Sequence, residues 1–449
     1  MKVVLSIVCC MLCFGSVFAQ TNDELKKENS ALKERVADLE ARMSKLETMV
    51  SQTSSEKRVD AAIAATDGKE SAYHQLKSGF FGKKGAKFDI YGYAKLDMAY
   101  DDSRTKNGNL AYYAYPETYA EDDDQFTMTA NQTRLGLNID GPTVDGLDVD
   151  AKVEVDFYGG GNENQAHIRM RHAYINATLP NYNLSILAGQ TWDLIAQQTP
   201  ATLNFGVLNF GGNMGYRRPQ LRVTKWWDID EGKKLEVAAA ISRQIGDSNS
   251  FAPSDTGADS GYPALQGRVA YSQPLWTSKP ALVAVGGHIG RDEVDIDSDD
   301  SHDTVDSWSA VVELSLPITE KIRLYGEAFM GRALGQYRAG GGYGTRTDMS
   351  VSPYAVDGVS AKGGFVALQA KATDKLTINL GAGTDDPNDD DLLAGDRGRN
   401  TIYFGNLTYD VTKSLKLGLE VMHLDTQYVG DSYDDGDALR FQSSIIYAF

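Results

Sequence analysis

The chain has 449 residues, a formal net charge of −18 and a mean hydropathy of −0.36. It lacks any run of about 18 apolar residues, which excludes a spanning helix, and its acidic balance argues against a nucleic-acid partner. A spanning β-barrel stays open, because alternation puts only every second side chain in lipid.

The N-terminus reads MKVVLSIVCCMLCFGSVFAQ. Lys2, an apolar core from Val3 to Phe14 and small residues before Gln20 predict a secretory signal peptide over residues 1–19, cut after Ala19. All three cysteines, Cys9, Cys10 and Cys13, fall inside it, so the mature chain is expected to have no disulfide and no thiolate metal site. Met11 and Leu12 stand where a lipoprotein site at Cys13 would need small residues.

Residues 20–52 carry Leu25, Asn29, Leu32, Val36, Leu39, Met43, Leu46 and Val50 at alternating steps of four and three. That heptad seam, flanked by Lys, Glu, Arg and Asp, predicts an α-helical coiled coil. Its narrow stripe calls for further copies of the same chain rather than a broad packing face. Asn29 at a core position would fix register without by itself separating two strands from three. Residues 53–87, rich in Ala, Ser, Lys and Gly, read as a linker.

From residue 88 the period changes to two. Strands are expected near 88–100, 126–139, 146–158, 166–179, 182–192, 217–229, 233–245 and 263–274. The second half follows near 280–291, 304–317, 320–333, 360–372, 375–384, 399–411, 414–427 and 437–449. Short connections such as DEG, PITE and VTKS alternate with longer ones beginning at Asp101, Gly159, Asp193, Gly246, Asp292, Leu334, Asp385 and Tyr428. Segregation of loop length by parity predicts an all-β transmembrane barrel of about 16 antiparallel strands, with short turns on the periplasmic rim and long loops outside. Trp226, Trp227, Trp276 and Tyr182, beside short turns, fit an interfacial belt. The last strand, ALRFQSSIIYAF, puts Phe441, Ile445, Tyr447 and Phe449 on one face and Arg440, Gln442 and Ser444 on the other, as a closing strand should.

Parity also assigns the lumen. Leu135, Leu137 and Ile139 outward leave Arg134 inward. Ile168, Met170 and Tyr174 on one face leave Arg169 and Arg171 on the other. The same counting turns Arg222 and Arg268 inward, opposite a wall of Asp148, Asp150, Glu154 and Asp156. Arg217 and Arg218 are adjacent. Crowded guanidinium groups, charged at any working pH and shaped for carboxylate or phosphate, suit an anion-selective constriction; pairing with the acidic wall is the structural alternative. His167, beside the arginines, is a weaker anion contact. Asp193–Gly215 is long and apolar for a loop, which suits either folding into the barrel or packing between subunits. Asp123, Asp124 and the acidic run from Asp385 to Asp391 read as solvated loop tips or as cation-mediated contacts with lipopolysaccharide; no glycine-turned calcium loop accompanies them.

The order of FDIYGYAKLDMAYDD, QTRLGL, IRMRHAYI, LAGQTWDL and YRRPQLR, after a signal and a coiled coil, resembles the DcaP-like trimeric outer-membrane porins. The likeness covers the N-terminal extension and the first half of the barrel; beyond that the match is to generic porin strands. It implies a homotrimer of sixteen-stranded barrels, a coiled coil in the periplasm and passive uptake of small organic anions such as dicarboxylates. Carried over by motif, Arg134, Arg169, Arg171, Arg217, Arg218 and Arg222 would line the constriction. Lipid and lipopolysaccharide are the expected surroundings, and no cofactor is expected.

Two other functions compete. A barrel enzyme would need a nucleophile and base, and none of His74, His167, His172, His288, His302 or His423 sits in a recognisable catalytic motif. A structural or adhesive barrel would conduct little. A sugar porin would want an aromatic ladder on the inner face, where only Tyr91 and Tyr93 fit.

Overall fold

The structure, a computed structural model, describes residues 80–81, 85–120, 123–160, 166–245, 257–258, 260–295, 302–348, 355–430 and 433–449, with residues 33, 37, 38 and 41. The coiled coil therefore lies outside the described residues, apart from Lys33, Ala37, Asp38 and Ala41, and of the linker only residues 80, 81 and 85–87 are described. The chain divides into two units, Met1–Ser78 and Gly79–Phe449.

Two-residue alternation in the second unit produces sixteen antiparallel barrel strands among the described residues, besides the short stretch Phe80–Phe81, which pairs with the first of them, and a separate hairpin of Thr345–Asp348 and Ala355–Gly358. They are β1 (Lys87–Asp101), β2 (Gln125–Thr129 and Arg134–Asp140), β3 (Asp148–Asp156), β4 (Arg169–Leu179) and β5 (Leu184–Trp192). Next come β6 (Arg217–Asp230), β7 (Lys233–Ser242), β8 (Ala264–Pro274), β9 (Pro280–Asp295), β10 (His302–Pro317) and β11 (Ile322–Arg332). The last are β12 (Ser360–Lys371), β13 (Leu376–Pro387), β14 (Arg397–Asp410), β15 (Leu415–Tyr428) and β16 (Gly436–Ala448). Each pairs with its sequence neighbours, and β1 pairs with β16 from Tyr93–Ala448 to Asp101–Arg440, so no edge is left. Phe449 seals the seam by exchanging backbone hydrogen bonds with Gly92 (3.1 and 3.3 Å). On its inner side Arg440 Nη1 donates to both carboxylate oxygens of Asp101 (2.9 and 2.8 Å).

Side-chain faces follow parity along most strands. In β16, Phe441 is 48% exposed while Arg440 and Gln442 are 1% and 4% exposed. An outward belt and an inward polar lining are what a barrel needs when lipid replaces water outside.

Irregular backbone changes that parity in the body of two strands, and further register shifts lie near the end of β6 (Asp228/Asp230) and the start of β14 (Arg397/Arg399). Residues Ala130–Thr133 interrupt β2, where an unbroken strand was expected, and both pieces pair with β1. In β4, Glu154 pairs with His172 and Val155 with Met170, leaving Arg171 as the extra residue of a β-bulge. Past the bulge the faces exchange. Tyr174, expected to face lipid, lies opposite Lys152 on the inner face, and Ile175 is exposed outside. His172 becomes an inner histidine, whereas His167 is exposed and precedes the strand. Trp227, Trp276 and Tyr182 are exposed beside short turns, but Trp226 shares the inner parity of Arg222, its ring 5.4 Å from Lys234 Nζ.

Val269 of β8 sits between Val237 and Val285 on the outward belt. Val269→Arg is expected to lower folding stability by about 2–4 kcal/mol, read by reversible urea titration in lipid vesicles.

Candidate pore constriction

Residues 193–216, joining β5 to β6, enter the barrel instead of rising from it. Their first side chain is clamped on three sides: Asp193 pairs with Arg218 (2.7 Å) and accepts from Gln266 Nε2 (2.7 Å) and the Tyr216 N–H (2.8 Å). The segment then exposes backbone N–H groups to a polar wall, and the wall answers with carboxylates. Glu313 of β10 accepts from the Gln197 N–H (3.2 Å), and Glu420 of β15 from the N–H groups of Leu203 and Asn204 (2.7 and 2.8 Å). Glu327 of β11 accepts from the Met214 N–H (3.0 Å). Tyr325 Oη accepts from Ala201 (3.0 Å). Each bond satisfies a donor that would otherwise be enclosed without water.

Apolar side chains complete the anchorage: Leu194, Ile195 and Leu208 are buried. The tip is backbone against backbone. Gly212 adopts φ +112°, and a Cβ there would stand 2.2 Å from the Gly364 carbonyl of β12. Val207, Leu208 and Phe210 also take positive φ, an unusual cost for such residues that the surrounding contacts must offset.

Two further segments fold inward against this one. Asp385 of β13 is buried and accepts from the N–H groups of Gly340 and Gly341 (both 3.0 Å), which joins residues 334–344 to the wall. It is not a solvated loop tip, as the acidic run suggested. In the first connection, the Ala111 carbonyl accepts from Asn204 Nδ2 (2.8 Å), and the ring of Tyr112 meets Phe210 edge-on at 5.3 Å.

Beside these segments lies a cluster of guanidinium groups. Arg169 binds Asp156 through Nε and Nη2 (2.9 and 2.8 Å), and Arg171 bridges Glu154 (2.6 Å) and Asp156 (2.9 Å). Arg134 stands 3.5 Å from Glu154 without an Nε hydrogen bond. Arg217 has no carboxylate within ion-pair distance among the described residues and rests on Trp192 (4.4 Å) and Tyr216 (5.1 Å). Phe205, stacked on Tyr158 at 4.9 Å, carries Arg169 and Arg171 on its ring at 5.6 and 5.4 Å. Arg338, from the second inward segment, lies 4.6 Å over Tyr216. Five guanidinium groups against two carboxylates, Glu154 and Asp156, leave a surplus of three positive charges. Burial opposes ionisation of the Tyr216 phenol, but Arg338, Arg217 and Arg169 outweigh it and hold its pKa below that of an ordinary phenol.

The sequence matches the DcaP outer membrane protein family over residues 16–315. The chain belongs to that family. It is therefore an outer-membrane channel barrel of the porin type. The crystal structure of the outer membrane channel DcaP of Acinetobacter baumannii is similar in fold, with a TM-score of 0.64 and 21% identity over 83% of this chain and 100% of that one. An anion-selective porin from Comamonas acidovorans aligns at a TM-score of 0.51 and 11% identity, covering 81% and 100% of the two chains. Pseudomonas putida OprB aligns at 0.51 and 13%, covering 84% and 96%. Among proteins of curated function no sequence match was found.

In this DcaP-family barrel the arginines singled out in the sequence occupy two main settings. Arg134, Arg169, Arg171 and Arg217 form the cluster. Arg218 is fully buried between Asp193 and the Gln336 carbonyl, and Arg268 grips Glu313 through Nε and Nη2 (2.7 and 3.3 Å), so both fasten the inward segments. Arg222 lies between, donating to Gln220 Oε1 (3.0 Å) and the Trp192 carbonyl (2.6 Å). Parity did not reveal Arg338, Tyr216 or Phe205, which come from irregular segments without a period. For Phe205 the apolar content of Asp193–Gly215 was the only signal, and it left two outcomes open; entry into the barrel is the one observed.

Glu420→Leu removes the acceptor for Leu203, Asn204 and Asn406 Nδ2 (2.8 Å). With buried donors costing about 1–3 kcal/mol each when unpaired, the segment should detach from β15. Larger and noisier single-channel conductance with the barrel still folded is the expected reading.

Proposed function

We propose that this channel is a diffusion porin for small hydrophilic solutes that prefers small organic anions such as dicarboxylates. The observation that carries the reading is the unmatched charge of the cluster formed by Arg134, Arg169, Arg171, Arg217 and Arg338 beside the inward segments. An anion leaving water needs donors that replace its hydration. Arginines supply planar pairs of N–H groups, and a low-dielectric wall strengthens their field. Arg222 extends the same polar face. Arg218 and Arg268 add to the field, although Asp193 and Glu313 match their charges locally.

Phe205, Tyr158, Trp192 and Tyr216 support this role by cation–π contact, which orients guanidinium groups without cancelling their charge. Glu154 and Asp156 do cancel charge, and they fix the forks of Arg169 and Arg171. The surplus that attracts solute therefore resides mainly on Arg217, Arg338 and Arg134. An enzymatic reading finds less support: both nitrogens of the buried His288 are within hydrogen-bond distance of Ser309 and Ser307 (2.7 and 2.9 Å), and its ring lies on Tyr337 at 4.0 Å.

The measurement that tests this is the reversal potential of the purified protein in a planar bilayer under a potassium chloride gradient. Anion selectivity, with current suppressed by an added dicarboxylate, is the expected result; cation selectivity would assign control to the acidic wall and loops. Arg217→Gln removes one charge without orphaning a carboxylate and should weaken the anion preference. Ionisation of Tyr216 adds a negative charge at a lower pH than for an ordinary phenol, so the wild-type preference should fall as pH is raised above neutral.

We further propose a homotrimer with its short turns and N-terminal coiled coil in the periplasm, on the heptads of residues 20–52. Deleting residues 23–50 should slow trimer assembly or lower its melting temperature on seminative gels while the barrel still folds; unchanged assembly and melting would remove that role.

A further inference from the structure

Apart from the constriction, a cavity of about 430 Å³ lies among the long connections, inside the range of small-molecule sites, roughly 300–1,000 Å³. Three connections build it. Arg104, Tyr113 and Tyr115 come from the segment after β1, Arg397 from the start of β14, and Tyr428 and Tyr433 from the end of β15 and the segment that follows. A loop surface meant only for water has no need of four tyrosines converging on two arginines.

The charge in the cavity is incompletely matched. Arg397 lies 3.9 Å from the Tyr113 ring and 4.8 Å from Tyr343, and donates through Nη2 to the Gly341 carbonyl. Among the described residues no carboxylate stands within ion-pair distance of it, and its Nε is enclosed without a hydrogen-bond partner. Arg104 lies 5.7 Å over Tyr115, and its contact with Asp123, at 3.5 Å, is more than half exposed on both sides. Nearby acids are engaged elsewhere: Asp396 with Arg346 (2.6 Å), Asp435 with the Tyr428 N–H (3.0 Å) and Asp434 with Thr118 Oγ1 (3.0 Å).

We infer that this cavity binds a small aromatic carboxylate, its ring against the tyrosine faces and its carboxylate toward Arg397 and Arg104. Tyrosine faces reward a flat apolar body, and guanidinium groups reward a carboxylate; neither half alone fills both parts of the site. A neutral aromatic would leave the arginines unanswered, and a short aliphatic anion would leave the rings unfilled. None of the residues lining it belongs to the arginine cluster, and binding here is measurable without conductance.

The test is titration calorimetry on the full-length protein in detergent, with benzoate, acetate and benzyl alcohol as probes. Saturable benzoate binding at one site per chain is expected, with acetate and benzyl alcohol both much weaker. Arg397→Gln should weaken benzoate by roughly tenfold or more, the worth of a charged hydrogen bond. Tyr433→Ala, on a loop where refolding is not at issue, should weaken it as well, whereas Arg217→Gln should not. No saturable binding up to about 1 mM, equal binding of benzyl alcohol, or benzoate affinity unchanged in Tyr433→Ala would overturn the assignment. Loss of binding in Arg217→Gln would move benzoate to the constriction and overturn it too. If Arg397→Gln fails to assemble, Tyr433→Ala decides.

Discussion

Carboxylates on the barrel wall that accept hydrogen bonds from the backbone of inward-folded segments are the interaction on which the rest of this structure depends. A closed barrel with a polar interior would hold only water along its axis. Irregular chain can enter it only if its N–H groups find acceptors, because a lost hydrogen bond in an enclosed site is not recovered from bulk solvent. Glu313, Glu327 and Glu420 supply those acceptors from β10, β11 and β15, and Asp385 does the same from β13. Their negative charge therefore has a structural use, and the wall cannot be read as a cation-attracting surface from its composition alone.

That use is compatible with a surplus of guanidinium groups inside an acidic protein. Arg268 is matched by Glu313 and Arg218 by Asp193, so charge is balanced at those two anchor points of the inward segment. On the other side of the lumen, Glu154 and Asp156 hold Arg169 and Arg171 in place but are outnumbered. Aromatic rings rather than carboxylates support the remaining guanidinium groups, so orientation is obtained with little loss of charge. The net charge of −18 belongs to the whole chain and says little about a field set by a few side chains in a confined space.

Both arrangements rely on local departures from regular strand geometry. The bulge at Arg171 brings Arg169, Arg171, His172 and Tyr174 to the inner side within six residues, which strict alternation would not allow. Left-handed residues at Val207, Leu208 and Phe210 turn the inward segment so that Phe210 meets Tyr112 while the Gly212 backbone touches β12. The clustered side chains are held where backbone regularity is broken and then over-determined by packing.

The sequence by itself determined the barrel: sixteen alternating stretches, the segregation of short and long connections and the amphipathic closing strand all reappear, because a period of two and turn chemistry are local properties of the chain. It also placed Arg134, Arg169, Arg171, Arg222 and Arg268 on the inner face by counting from apolar neighbours. Counting failed where the backbone does: the bulge at Arg171 exchanges the faces beyond it, so Tyr174 was assigned to lipid and His167 was preferred to His172. Trp226 was placed in the interfacial belt by its nearness to a short turn, although it shares the inner parity of Arg222. Only the tertiary structure decided which arginines are neutralised, since Asp193, Glu313 and Gln336 lie far from Arg218 and Arg268 in sequence. The fold alone brought in Arg338 and Tyr216, and it turned Asp385 from a surface charge into an anchor. Pairing between distant segments leaves no period in the chain.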